Sequence, residues 1–331
     1  MRILLSEAAA ASHGAAIRAV APAAELVAVP PEGKLPDSTG VEIGFLTRDL
    51  FERGTRDRLA PEIIRFTDLL RETPSLRWVH IYAAGSDMRL FRELAARPGV
   101  VVTTSAGASA PAMAQSAMAG ILALTRHFPA MAEAQRRHAW EPLYRKPPLP
   151  RDLNGQRALV LGTGPIGQEI GRHCQGFGMH TTGMRRDPAA GLPPGFDAVA
   201  GFDALPALLP GTDWLVLACP LTETTRNLIG ARALALLPRG AGLVNVARGG
   251  VVVEADLLAA LRSGQLSGAF LDVFSEEPLV AESPFWDMPN VIVCPHSAAA
   301  FDGLPNRVAA IFCDNLRRWQ AGERLRNLVE G

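Results

Sequence analysis

The stretch Ala158-Leu159-Val160-Leu161-Gly162-Thr163-Gly164-Pro165-Ile166-Gly167 decides the fold. It reads as a short buried strand, a glycine turn and the first turn of a helix. Gly162, Gly164 and Gly167 stand at the G-x-G-x-x-G spacing in that setting. The first glycine permits the tight turn, the second lets the backbone approach a pyrophosphate, and the third lets helix and strand pack closely. Pro165 suits a first helical turn, where its missing N–H costs nothing. Ile166, Ile170, Cys174 and Phe177 then lay one apolar face along the helix, and Gly178 is placed to stop it. The helix N-terminus faces the turn, which favours a phosphate. The same spacing also serves as a purely structural turn. The strand before, the helix after and a second strand from Met179 to Met184 argue for a nucleotide.

A chain of 331 residues predicts two domains. Its 33 Lys and Arg balance 33 Asp and Glu. No basic surplus is left to neutralise phosphates, which argues against a nucleic-acid or anionic-membrane partner. Cys174, Cys219, Cys294 and Cys313 are far apart and lack metal-ligand spacing, so they read as free thiols in a reducing compartment, with no metal. The apolar start Ile3-Leu4-Leu5 breaks at Ser6-Glu7, too soon for a secretion signal. No run approaches a membrane span. The expected location is the cytoplasm.

Residues 1 to 98 alternate strands (Ile3–Leu5, Leu26–Val29, Ile43–Leu46, Trp78–Tyr82) with helices such as Pro61–Leu70, the pattern of a small parallel sheet. Val100–Thr104 is another buried strand. A long helical segment, Ala110 to Trp140, has small residues all round, which predicts burial against a large surface such as a second subunit. After the glycine motif come strands His180–Met184, Trp214–Cys219, Gly242–Ala247, Ala269–Phe274 and Val291–Pro295, with helices between. This is a doubly wound α/β domain, whose ligands sit at the carboxyl ends of its strands. The amphipathic last helix, about Asn306 to Gly322, is assigned to pack back on the first domain.

Three chemical groups stand at or just past late strand ends. Arg248 follows Asn245-Val246-Ala247, Glu277 follows Leu271-Asp272-Val273-Phe274-Ser275-Glu276, and His296 follows Val293-Cys294-Pro295. They form a minimal set for a 2-oxo acid. An Arg clamps a carboxylate in a fork, a His trades a proton with the C2 oxygen, and a carboxylate orients the His. Glu277 is preferred to Glu276 because it directly precedes Pro278.

With these residues the chain resembles the D-isomer-specific 2-hydroxyacid dehydrogenases over nearly its whole length. The matching stretches are Gly162–Gly167, Pro220-Leu221-Thr222-Glu223-Thr224-Thr225, Asn245–Gly250, Leu271–Phe274 with Glu277-Pro278, and Pro295-His296. The resemblance implies an α/β protein of two Rossmann-like doubly wound parallel-sheet domains with a cleft between them. A flavodoxin-like substrate domain would take residues 1–98 and 295–331, and an NAD(P)-binding domain residues 99–294. Arg248, Glu277 and His296 would carry catalysis. Gly162, Gly164, Pro165, Ile166, Gly167, Cys219, Pro220, Thr225, Ala247, Arg248, Asp272 and His296 would contact the cofactor, with Asp272 at its nicotinamide end. Ala84 and Gly85 resemble the family's substrate loop, where backbone N–H groups hold the carboxylate beside Arg248 and His296; Asp87 then reads as structural. The family is typically a homodimer. Trp140 resembles an aromatic that partner subunits offer to neighbouring sites in glyoxylate and hydroxypyruvate reductases, with simple interface packing as the alternative.

Two positions depart from the family pattern. Gln115 stands where a glutamate is frequent. Arg185, followed by Arg186, stands where NAD-preferring members carry an acid after the second nucleotide-domain strand. Unless the two are a solvated surface pair, they favour NADP(H), with NAD(H) as the alternative. The expected activity is reduction of a small 2-oxo acid, glyoxylate or hydroxypyruvate, to the D-2-hydroxy acid. The rivals are a formate or phosphite dehydrogenase on the same scaffold and a nucleotide-sensing corepressor.

Overall fold

The computed structural model describes residues 1–51, 59–85, 88–145 and 149–329. The chain forms two compact units, Met1–Ser109 with Phe301–Gly331, and Ala110–Ala300. Each is a parallel sheet with helices.

The first unit holds β1 (Arg2–Ser6), β2 (Glu25–Val29), β3 (Val41–Leu46), β4 (Trp78–Ile81) and β5 (Val101–Thr104), in the order β2-β1-β3-β4-β5. Three helices follow strands or loops: α1 (Glu7–Val20), α2 (Pro61–Arg71) and α3 (Arg89–Ala95). Ser6 ends β1 and starts α1, its hydroxyl accepting from Ala9 N at 3.0 Å. Alternation along β1 sends Leu4 to one core layer, with Phe66, Val79 and Phe91, and sends Ile3 and Leu5 to the other. The second layer is completed by the C-terminal helix (Leu304–Ala321), whose Phe312 stacks on Phe45 with centroids 4.1 Å apart. That helix returns to the first unit as its amphipathic pattern predicts.

A polar chain crosses this core without an unpaired atom. Trp78 Nε1 donates to Thr103 Oγ1 (2.8 Å), His80 Nδ1 meets the same oxygen (2.8 Å), and His80 Nε2 meets Ser105 Oγ (2.9 Å), which donates to the Ile81 carbonyl. Since Ser105 donates onward, His80 Nε2 carries the proton and Nδ1 accepts from Thr103. Burial holds the His80 pKa down to about 3.

The second unit holds β6 (Arg157–Leu161), β7 (His180–Met184), β8 (Ala198–Ala200), β9 (Trp214–Leu217), β10 (Ala241–Asn245), β11 (Leu266–Leu271) and β12 (Val291–Val293), in the order β12-β11-β10-β9-β6-β7-β8. Its helices are α4 (Ala110–Thr125), α5 (Phe128–Arg136), α6 (Pro165–Gly176), α7 (Leu205–Leu208), α8 (Ala231–Leu236) and α9 (Glu254–Arg262). The strand order reverses between β9 and β6, where such sheets open a ligand crevice.

Three sequence expectations are corrected. Val101–Thr104 pairs with β4, so the first unit runs to Ser109 rather than residue 98, and residues 295–300 stay with the second unit. The segment Ala110–Trp140 is two helices, broken at His127, whose φ of 57° is left-handed, before Pro129 starts α5. The small residues of α4 are also explained within the unit, because a Cβ on Gly120 would overlap the Phe270 ring. Among the described residues, no helix is long and apolar enough to cross a membrane and no cluster could hold a metal ion. All four cysteines are free thiols.

His80 makes the first unit acid-sensitive. The unfolded imidazole takes a proton near pH ~6.5, whereas the folded one resists until about 3. Stability is therefore whole above pH ~6.5 and falls below it by up to about 1.4 kcal/mol per pH unit. Urea midpoints between pH 7 and 5 should slope less steeply in His80→Gln than in the wild type. Parallel slopes would remove His80 as the cause.

Candidate active site

The glycine turn lies at the β6/β9 crevice. Gly162 has φ 106°, its N–H donates to Met184 O at 2.9 Å, and a Cβ there would sit 2.5 Å from Ala218 O. A Cβ on Gly167 would land on the Gly162 carbonyl oxygen. Gly164 differs: a Cβ there would meet nothing within 4 Å. Two glycines are thus required by the protein's own packing, and the third leaves an open cradle that a side chain would fill. Gly164 gives α6 no side-chain cap, and Pro165 opens its first turn, so the N–H groups of Ile166 and Gly167 remain for an outside acceptor. This fits a dinucleotide pyrophosphate.

Arg185 follows β7, with its N–H on Ala200 O and its guanidinium 3.4 Å from Gly191 O. Arg185 and Arg186 form no ion pair with the described residues. Asp187 is occupied, its carboxylate accepting from Ala189 N at 3.0 Å. Across the crevice, Cys219 is buried and its thiol is pushed up to about 11 by burial. Thr225 is buried too. Its hydroxyl donates to Pro220 O (2.7 Å) and accepts from Thr222 N (2.8 Å), so Thr225 shapes the loop from inside.

The proposed catalytic groups stand beyond three adjacent strands. Arg248 and Ala247 follow β10, where Asn245 ties the turn by donating to Arg248 O (3.2 Å) and accepting from Ala247 N (3.0 Å). The Arg248 guanidinium donates to Ala247 O at 2.7 Å. Gly249 lets this turn touch the next loop, since a Cβ would overlap the Phe274 backbone. In that loop Glu277 Oε1 accepts from Phe274 N at 3.0 Å, and Oε2 lies 2.6 Å from His296 Nδ1. Glu277, not Glu276, therefore meets the histidine. His296 Nε2 hydrogen-bonds to none of the described residues, and the side chain is 41% exposed.

His296 has φ 49°, in the left-handed region. A non-glycine residue there costs about 1–3 kcal/mol and persists only if its surroundings impose it. Asp272 imposes it. Its carbonyl accepts from His296 N (2.9 Å), and its Oδ1 accepts from both Ser297 N (2.8 Å) and Ala298 N (2.9 Å). Asp272 is 1% exposed. The side chain is buried under the His296 turn. Sequence reasoning missed Asn245 as a tie, although Asn at a strand end is a known turn former.

Ala84 and Gly85 lie beyond β4 in the first unit, and their N–H groups donate to none of the described residues. Ser86 and Asp87 fall outside the described residues. Gln115 is exposed on α4.

Residues 118–298 match the model of the D-isomer specific 2-hydroxyacid dehydrogenase NAD binding domain. The chain belongs to this family. A glyoxylate reductase of Thermococcus gammatolerans is 37% identical over 77% of this chain and 77% of its own. A D-isomer specific 2-hydroxyacid dehydrogenase from Xanthobacter autotrophicus, solved with NADPH and MES, has TM-score 0.77 and 32% identity, covering 99% of this chain and 97% of that one. An NADPH-dependent glyoxylate/hydroxypyruvate reductase from Sinorhizobium meliloti, solved with NADP and sulfate, has TM-score 0.75 and 27% identity over 99% and 98% of the two chains. The protein is thus an NAD(P)-dependent 2-hydroxyacid dehydrogenase.

Asp272 fixes the backbone from which His296 projects. Asp272→Ala should lower kcat roughly ten- to a hundredfold, the worth of charge-assisted hydrogen bonds, with KM and NADPH affinity nearly unchanged. Asp272→Asn keeps an acceptor oxygen and should restore most of the loss. Equal losses in kcat and affinity would instead mark general unfolding of the site.

Proposed function

We propose that the enzyme reduces small 2-oxo acids to D-2-hydroxy acids with NADPH, glyoxylate and hydroxypyruvate being the first substrates to assay. The observation that carries this reading is the 2.6 Å Glu277–His296 pair. Glu277 holds Nδ1, so the protonated ring presents Nε2–H outward. That N–H donates its proton to the C2 oxygen as the carbonyl becomes an alcohol. The reduced nicotinamide, when bound, supplies the hydride for C2. Arg248 grips the substrate carboxylate and polarises the carbonyl. His296 regains its proton from water.

The homodimer belongs to this reading. Large apolar side chains are exposed between Phe128 and Leu149, with Trp140 92% exposed, a concentration that marks an interaction face. The glyoxylate reductase relatives support a small substrate. The free thiols fit a reducing cytoplasm.

His296→Ala should lower kcat by roughly 10²–10⁴ across a panel of 2-oxo acids while cofactor binding stays near wild type. Retained turnover would remove His296 from the mechanism.

Arg185 decides the cofactor in this reading. A guanidinium offers paired donors to a ribose 2′-phosphate, and a hydrogen bond to charge is worth about 1.5–3 kcal/mol. NADPH should therefore exceed NADH in kcat/KM by at least about tenfold. Arg185→Asp should reverse the order, because a carboxylate repels the phosphate and accepts from the ribose hydroxyl. Equal use of both cofactors by the wild type, at one low ionic strength, would refute this role.

A further inference from the structure

Glu254 opens α9, on the same exit segment as Arg248. An acid in a first helical turn ordinarily faces the unpaired N–H groups of its own helix. Glu254 instead reaches across to the loop that leaves β11, where its Oε1 accepts from Ser275 N at 2.6 Å. The preceding amide, Phe274 N, donates to Glu277 Oε1 at 3.0 Å. Two consecutive backbone amides of one loop are thus each held by a carboxylate. One carboxylate is the partner of His296. The other has no part in the reaction described above.

The two ends of the Glu254–Ser275 bond differ in how firmly they are held. The α9 end is fixed by its neighbours. Val253 N donates to Ile229 O (3.0 Å), Ile229 N donates to Val251 O (3.1 Å), and Leu257 and Leu261 are buried in the core. The loop end has less to hold it. Phe274 is buried beside Phe285, with ring centroids 6.0 Å apart, but Ser275 and Glu276 are exposed. Water would satisfy an exposed Ser275 N–H, so satisfying that group is not what the carboxylate contributes. It contributes position. Gly249 serves the same contact, because a Cβ there would lie 1.9 Å from the Phe274 carbonyl carbon.

Position matters because Glu277 follows just beyond Ser275-Glu276. Its Oε2 lies 2.6 Å from His296 Nδ1, and a misplacement of about 1 Å in an active site can cost on the order of a hundredfold in rate. We propose that Glu254 is a positioning residue, which anchors the Phe274–Ser275 backbone on α9 so that Glu277 stays in line with His296 Nδ1. This rests on the reading of Glu277 and His296 as the proton-donating pair. Asn245 ties the Arg248 turn by itself, through Arg248 O and Ala247 N. The grip on the substrate carboxylate therefore does not depend on Glu254.

The test is a mutant cycle in kcat, with NADPH and the best-used acid of the 2-oxo acid panel. Each kcat is normalised to NADPH-binding sites, so unfolded enzyme drops out. Glu254→Ala should lower kcat roughly ten- to a hundredfold, the worth of a hydrogen bond to a charged group, with KM for the acid and NADPH affinity nearly unchanged. Glu254→Gln keeps an acceptor oxygen and should restore most of the loss. In a Glu277→Ala background no carboxylate remains to be positioned, so adding Glu254→Ala should change kcat by less than about twofold. Wild-type kcat in Glu254→Ala overturns the inference. Equal losses in both backgrounds also overturn it, because they mark a support of the fold that does not act through Glu277. A Glu254→Gln variant as slow as Glu254→Ala overturns it in favour of an effect of charge alone. Slow turnover in Glu277→Ala beside wild-type turnover in Glu254→Ala sinks this inference alone. Unchanged turnover in Glu277→Ala sinks the reading of the pair and this inference with it.

Discussion

Every strand in both sheets runs parallel to its neighbours. A parallel strand needs a crossover before the next one, and the crossovers cover both faces of the sheet. Chemistry is thereby confined to the carboxyl edge, where chain leaves a strand and has not yet entered a helix. Gly162, Arg185, Arg248, Asp272 and His296 all sit in such exits. In the first unit the same constraint places Ala84 and Gly85 at the exit of β4. The order of strands then selects which exits are open. The reversal of winding at β6/β9 coincides with the open cradle at Gly164.

Holding these exits in place takes close backbone contact rather than long side chains. Gly162 presses on Ala218, Gly167 on the Gly162 carbonyl, and Gly249 on Phe274. Any Cβ at these points would push apart the segments that carry the functional groups. Short polar side chains finish the work: Asn245 ties the Arg248 turn, and Asp272 ties the His296 turn. The left-handed backbone of His296 is held by three hydrogen bonds that one buried aspartate accepts, two at its carboxylate and one at its carbonyl.

Much of this was legible in the amino-acid sequence. Parallel strands buried on both faces appear as unbroken apolar runs, and the runs at Ile3, Val160, Leu215 and Leu243 mark real strands. Motif spacing put Glu277 and His296 on the same exit edge, and the structure brings them to 2.6 Å. What escaped depends on distant partners. The edge strand Ala198–Ala200 is three residues long and not fully buried, so its pattern is too short to read. The membership of Val101–Thr104 depends on pairing with β4, which no local pattern encodes. The break after α4 did have a local sign in Pro129, whose missing N–H suits the first turn of a new helix rather than the interior of a continuing one. The task of Asp272 had none, because a carboxylate in sequence does not say which amides it will find.

Three histidines show how surroundings, not residue type, separate roles. His80 has both ring nitrogens bonded within the core, and burial holds it neutral. It can only fix the orientation of its neighbours. His13 is buried on α1 without a hydrogen-bond partner among the described residues, and burial lowers its pKa below the ordinary value, so it is poorly placed to carry a proton to a substrate. His296 combines what the other two lack: a carboxylate on one nitrogen, a second nitrogen left to an outside acceptor, and enough exposure to recover a proton from water. A general acid must be loaded, aimed and reloaded. Among the three, only the ring at the end of β12 meets all of these demands, and the two acids that serve it divide the labour. Glu277 sets the ring and Asp272 sets the backbone from which the ring projects.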